Sequence, residues 1–388
     1  MPHPDSIGSS QDTRKALVIH PVMGEYAGGE LLCLHVCKSL QEAGFEVTLA
    51  SDNFAPSEVE RIYGMGRIME KCAHFAIPQF TPVASRFLTI QRLAYAKKIW
   101  PILSKTNAEI VFNTQSSPFI IRGGRVFHFV YNIIDLYAHP PEANPRAPYR
   151  SDSAFHQPLY LLERSIRELF WEKRYSPPRW FFAVGSSVLQ ALKERGYPNS
   201  SLLFPPCRTT FKPKLPKKDQ IIQIARLIPD KRLEFFFDVA RRLPEYTFYL
   251  VGKSTPASQT IYGGYSRRIL ASLPPNVRYV ESPIRDRRDL LEESKVYLYT
   301  GSEPGIVMSV VEAISAGCIP LSPTRVGAAD VIEASGIGYL YHNADEAAMQ
   351  IKTILQANSS SQEIYSISKR AEIFSPTAFE ETIKGLTS

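Results

Sequence analysis

The sequence predicts an α/β protein of two doubly wound domains facing across a cleft. Three observations predict it. Strand–loop–helix–strand units stand near both ends of the chain, at Lys15–Ser51 and at Lys295–Pro323. The alternation of strands and helices runs, breaks and restarts, and the break at 203–219 (LFPPCRTTFKPKLPKKD) holds four prolines and a cluster of lysines, which suits a linker. The length of 388 residues suffices for two domains, each burying its own core.

Taken in order, residues 1–14 are polar and read as disordered. Lys15–His20 (KALVIH) is a strand, Pro21–Gly29 a glycine-containing loop, Glu30–Ala43 an amphipathic helix stopped by Gly44, and Phe45–Ser51 the next strand. Gly28 and Gly29 stand where that helix begins. Two readings are open there, close approach of a ligand phosphate to the backbone and a tight turn. Residues 56–105 read as helical and basic. Within them RFLTIQRLAYAKKIWPIL mixes aromatic and aliphatic side chains with cations, as does the helix Leu159–Tyr175. Such helices suit either an acidic membrane surface or a core with a solvated basic face. Ile110–Asn113 and Val126–Tyr131 are strands, the second carrying His128. Pro140–Pro158 is a proline-rich loop expected over the cleft. Phe181–Val184 is a strand, and Ser186–Arg195 a helix.

Beyond the linker come strand Gln220–Ile224, helix Leu233–Arg242 and strand Thr247–Val251. Val277–Val280 and Arg287–Glu293 continue the alternation. Lys295–Thr300 then alternates as a strand, Gly301, Pro304 and Gly305 break it, and Ile306–Ala316 has apolar residues at helical spacing. Gly317 suits a left-handed stop, and Cys318–Leu321 is the following strand. Ser361–Leu386 closes the chain as helix. Glu303 and Glu312 frame the loop after Lys295–Thr300. Such a loop lies at the carboxyl end of its strand, where open parallel sheets bind ligands, and the helix after it aims backbone N–H groups at an anion or hydroxyl oxygen. The strand ending at Ala225 is followed by Arg226 and Lys231, two cations expected at the same edge. Paired cations suit a diphosphate, whose leaving oxygen gains charge as its bond breaks.

Composition sets limits. The chain is 44% hydrophobic and 21% charged, as a soluble globular protein is, and no apolar run approaches membrane-spanning length. No signal-peptide core precedes the first strand, so a cytoplasmic location is expected. The five cysteines are scattered and odd in number, which speaks against a disulfide framework; Cys33 and Cys37, one helical turn apart with no second pair nearby, read as core. The net charge of +7 implies attraction to anions without choosing among phosphorylated ligands, lipid headgroups and nucleic acid. No nucleic-acid module is recognisable, so nucleic acid is not expected as a partner. VGKST at 251–255 imitates a P-loop, but the first glycine of that motif would have to be Thr247, inside a strand. MGEYAGG at 23–29 has the wrong glycine spacing for a dinucleotide fingerprint. GSS at 185–187 lacks a nucleophile elbow. No metal-ligand spacing occurs, so no metal or cofactor is expected.

Arg226–Leu227–x–Pro229–x–Lys231, followed by Glu303–Pro–Gly–Ile and Val311–Glu312–Ala313–x–x–Ala316–Gly317, resembles the retaining GT-B glycosyltransferases of family four. Gly28–Gly29–Glu30 and Phe204–Pro205–Pro206–Cys207 are similar to segments of its lipid-linked oligosaccharide mannosyltransferase branch, as is Leu159–Trp171. The resemblance implies Rossmann-like domains over 1–205 on the acceptor side and 206–365 on the nucleotide-sugar side, with 366–388 crossing back. It implies a metal-independent, retaining transfer of a hexose from a nucleotide-diphospho-sugar, GDP-mannose favoured, to a glycan or lipid-linked acceptor at the cytosolic membrane face. A UDP-sugar with a soluble or polysaccharide acceptor is the alternative, ahead of a non-enzymatic basic nucleic-acid-binding protein. Arg226 and Lys231 would hold the diphosphate, and Glu312 the ribose. Glu303 with the backbone of Gly305, Ile306 and Val307 would hold the sugar. Gly28 and Gly29 would approach the phosphate from the other domain. His128 would stand near the reacting centre or serve as a structural histidine. Eight residues separate Glu303 from Glu312 where the family has seven, which offsets Glu303 by one.

Overall fold

The computed structural model describes residues 14–23, 28–78, 97, 107–115, 124–131, 179–194, 196–252, 256–281 and 288–387, without the side chains of 256–262. The basic stretches at 86–105 and 159–175, apart from Lys97, and the proline-rich loop at 140–158 lie outside them. The chain divides into two compact units. One comprises Met1–His128, Ser165–Trp180 and Glu380–Ser388, the other Phe129–Arg164 and Phe181–Phe379.

In chain order the first sheet takes β1 (Lys15–Ile19), β2 (Glu46–Ser51), β3 (Ala73–Ala76), β4 (Ile110–Asn113), β5 (Arg125–Val130), β6 (Arg179–Ala183) and β7 (Ser200–Leu202). Their spatial order is β3-β2-β1-β4-β5-β6-β7. Between β1 and β2 runs α1 (Gly28–Glu42), followed by α2 (Pro56–Tyr63) and α3 (Gly66–Glu70). The expectation that 56–105 is all helical fails at β3: four residues long, it joins β2 in parallel register, Leu49 opposite His74. So short a run carries no period of its own, and pairing decides it. Arg14, expected to be disordered, pairs with Glu109, Nη2 to Oε1 at 2.8 Å. After β6 comes α4 (Ser186–Glu194).

The second sheet is built from β8 (Lys218–Ile224), β9 (Thr247–Gly252), β10 (Val277–Glu281), β11 (Ser294–Leu298), β12 (Ile319–Pro323) and β13 (Tyr339–Tyr341). Its order is β10-β9-β8-β11-β12-β13 with parallel pairings throughout. The helices that follow β8 in the chain are α5 (Leu233–Arg242), α6 (Pro256–Ala271), α7 (Arg288–Glu293), α8 (Met308–Ser315), α9 (Gly327–Ser335), α10 (Ala344–Gln356), α11 (Ser361–Lys369) and α12 (Pro376–Gly385), the last belonging to the first unit from Glu380 on. Strands buried on both faces read as continuous apolar runs, and β8 does so over Ile221–Ile224 apart from the buried Gln223. Phe236, Phe237, Phe248, Leu298 and Tyr341 fill one core cluster and Tyr297, Val310, Val311 and Phe374 another. Gly317 adopts φ +77° past α8, which lets Cys318 N–H reach Ala313 O at 2.8 Å and closes the helix as its left-handed position requires. The closing helix is interrupted by a 3-10 turn at Arg370–Phe374 and an extended Ser375. Among the described residues no helix is long and apolar enough to cross a membrane.

Candidate functional site

In the second sheet the strand order reverses between β8 and β11, which are hydrogen-bonded neighbours although β9 and β10 separate them in sequence. A reversal of this kind opens a crevice at the carboxyl ends of the two strands. Both candidate motifs leave the sheet there. Past β8, Ala225 is buried, Arg226 is exposed, and Pro229–Lys231 forms a 3-10 turn. Past β11, Tyr299 and Thr300 stay buried and the chain then runs through Glu303 to α8.

The two loops are stitched together. Thr300 Oγ1 donates to Lys231 O at 2.6 Å, and the buried Gln223 amide donates to Thr300 Oγ1 at 2.8 Å. Ser302 N–H donates to Asp230 O at 3.1 Å. On this frame the Lys231 ammonium donates to the Glu303 carboxylate, and so does the Tyr299 hydroxyl. Lys231 Nζ also stands 5.6 Å from the centre of the Tyr299 ring. Tyr341 Oη donates to Tyr299 O at 2.7 Å, anchoring the aromatic from behind. Burial, then the Glu303 charge, pushes the Tyr299 hydroxyl well above its ordinary value, so it stays a donor. Burial and the nearby Glu303 also raise the Asp230 carboxyl, against Lys231 and Arg226.

Lys231 and Glu303 are therefore brought together as the sequence suggests. Of the neighbouring backbone, the Ile306 N–H already donates to Val184 O at 3.0 Å, so that amide is committed to the protein. Gly305 lies in the same loop, and Val307 precedes α8 as its extended cap residue. Glu312 is buried inside α8, where its charge adds to burial in raising the Cys207 thiol. Cys207, of the Phe204–Cys207 segment, lies in the same core cluster as Val311 and Ala313, the neighbours of Glu312 in the chain.

In the other unit, Gly28 and Gly29 open α1. Among the described residues a Cβ on Gly29 would meet only the His20 ring, at 3.5 Å, an ordinary contact. Sequence reasoning missed His20, the polar residue at the carboxyl end of β1 that could have flagged it. His20 Nδ1 lies 2.8 Å from Thr114 Oγ1. Burial opposes its charge, yet Cys33, Glu30 and Asp52 raise its pKa above the usual value. Cys33 in turn is held down to about 5: burial works against the thiolate, but the Cys37 thiol and His20 outweigh it. His128 is wholly buried opposite Asn113, whose amide lies 3.2 Å from Nδ1, and burial followed by the Arg179 charge lowers its pKa to about 3. Burial there favours the neutral imidazole over the charged one. Among the described residues no group of three or more His, Cys, Asp or Glu side chains could hold a metal ion.

Residues 218–357, from β8 through α10, match the family model described as Glycosyl transferases group 1. No protein of curated function matches the sequence. Solved structures match it at low identity and nearly full length. Sucrose-phosphate synthase from Thermosynechococcus elongatus is 13% identical, with 96% of this chain and 98% of that one covered and a TM-score of 0.69. HepE of Anabaena in complex with UDP and glucose is 14% identical, with 97% and 100% covered and a TM-score of 0.64. WaaG, a glycosyltransferase of lipopolysaccharide biosynthesis, is 12% identical, with 96% and 99% covered and a TM-score of 0.65. These likenesses give the chain the GT-B fold, two parallel-sheet Rossmann-like domains.

Proposed function

We propose that this chain, a glycosyltransferase by its group 1 domain and its fold, moves a hexose from a nucleotide-diphospho-sugar to an acceptor hydroxyl with retention at the anomeric carbon. One observation carries the reading. Lys231 and Glu303 leave adjacent strands at the switch point of the second sheet and meet as a cation and a carboxylate. With Arg226 exposed on the same loop as Lys231, the site offers positive charge for a diphosphate and a carboxylate for sugar hydroxyls. In the reaction the bond from the anomeric carbon to the diphosphate oxygen breaks, and the bond to the acceptor oxygen forms on the same face. The acceptor proton passes to the departing diphosphate. Arg226 and Lys231 stabilise the charge growing on that oxygen, which is why the reading is metal-independent.

The motif resemblance favours GDP-mannose and an acceptor on a lipid-linked glycan at the cytosolic membrane surface. A UDP-sugar with a soluble or polysaccharide acceptor is the second reading, favoured by the HepE neighbour, whose structures hold UDP and glucose. Glu312 is assigned to the nucleotide ribose, and Gly28 and Gly29 to the phosphate. The test is incubation with a panel of UDP- and GDP-sugars and measurement of released nucleotide diphosphate. Release that falls about a hundredfold or more in Arg226→Ala supports the reading; near-normal release by that variant refutes it. Calorimetry against GDP and UDP selects the base.

A further inference from the structure

The loop that carries Glu303 is held from two sides by parts of the second unit that the motifs do not include. On one side the Gly327 N–H, at the start of α9, donates to Glu303 O at 2.8 Å. On the other, Ile306 N–H donates to Val184 O at 3.0 Å and Ser187 Oγ to Pro304 O at 3.2 Å. The approach is close enough to demand glycine at both contacts. A Cβ on Gly327 would come within 1.8 Å of Gly305 O, and one on Gly185 within 2.4 Å of Pro304 O. The two sides are joined to each other by Asp330, one turn into α9. Its Oδ1 accepts from Ser186 Oγ at 2.5 Å and its Oδ2 from Ser186 N–H at 2.7 Å, at the first residue of α4. Asp330 is 8% exposed. A carboxylate so buried is costly unless its oxygens are bonded, and at a helix N-terminus both the free N–H and the dipole favour it.

We propose that Asp330, acting through Ser186, is a positioning residue that seats the 303–307 loop for the donor sugar; this rests on the transferase reading above. Both Asp330 oxygens are taken by Ser186. Asp330 fixes α4 against α9, and the loop between them inherits its place. Arg226 and Lys231 leave β8 rather than the 303–307 loop, so the latch acts on turnover and sugar choice more than on nucleotide affinity.

The variants are Asp330→Asn, Ser186→Ala and the double variant, with Ser186→Thr as the conservative rescue. Amide hydrogen exchange reads the loop without any substrate: the Ile306 and Gly327 amides should exchange about tenfold faster in Asp330→Asn, with the β8 and β11 amides unchanged. Unchanged exchange at Ile306 and Gly327 overturns the latch whatever the activity does. With the donor that wild-type protein uses, kcat should fall about tenfold while calorimetric affinity for the nucleotide diphosphate stays within about twofold. The double variant should be no worse than Asp330→Asn alone, and Ser186→Thr should restore activity. A parallel fall in nucleotide affinity, or additive losses, overturns the positioning role. Ser186→Ala, which keeps the backbone contact, serves as the folded control if Asp330→Asn fails to fold: unaltered exchange and turnover in it count against the latch. Wild-type protein that releases no nucleotide diphosphate from any donor overturns the transferase reading and the donor role with it, while the exchange result still decides the latch.

Discussion

Lys231 donates to a carboxylate that also accepts from the Tyr299 hydroxyl, so three side chains share one half-buried corner of the second unit. Removing the cation, as in Lys231→Ala, should lower nucleotide diphosphate release by about a hundredfold to a thousandfold, because charge stabilisation in a shielded site is lost. Tyr299→Phe is a gentler cut. It keeps the ring and removes one donor to Glu303, so stability should drop by about 1 kcal/mol in urea unfolding and turnover by about tenfold. His128 makes a different prediction. Above its ordinary pKa of about 6.5 it is neutral in both folded and unfolded chains and contributes no pH dependence. Below that the unfolded chain takes up a proton that the folded protein refuses until about pH 3, so stability falls as pH falls. His128→Gln should flatten that loss by up to about 1.4 kcal/mol per pH unit between those limits, read from urea midpoints at several pH values. The identities of Arg226, Lys231 and Glu303 were legible as chemistry in the sequence. The neutrality of His128 was not, since burial is a property of its neighbours.

At the scale of elements, β1 with α1 and β11 with α8 were readable because apolar period and stop signals agree: Gly44 and Gly317 both follow their helices with positive φ. By contrast α9, which carries Asp330, was not assigned from the sequence. Val326 before it offers no capping side chain, and Gly327 at its first position is a poor helix former, so no start signal exists. Tertiary contact with the 303–307 loop supplies what local propensity lacks. The last helix is fixed by side chains too. Within the first unit, Glu380 bonds His35 Nδ1 at 2.6 Å and Lys38 Nζ at 2.8 Å. Burial lowers the His35 pKa against the pull of Glu380. Glu380→Ala strands a buried imidazole and leaves the Lys38 ammonium with Glu42 at 3.8 Å, and should cost about 2 kcal/mol of unfolding free energy, measured in urea.

At the scale of the whole molecule, a ligand that binds only the folded chain adds RT ln(1 + [L]/Kd) to its stability. The nucleotide diphosphate of the preferred donor at a hundred times its Kd should therefore add about 2.7 kcal/mol, seen as a raised Tm, and Arg226→Ala at the same concentration should show little of it. The sequence by itself determined the α/β class, the twofold run of strands and helices, and the residue types able to meet a diphosphate and a sugar. Those follow from period, punctuation and charge, which are local. Only the tertiary structure decided that β8 and β11 are neighbours, that Lys231 therefore reaches Glu303, and that α4 and α9 close on the loop between them. Strand order and loop seating are set by which buried surfaces fit together across long sequence separations, and no local pattern encodes that choice.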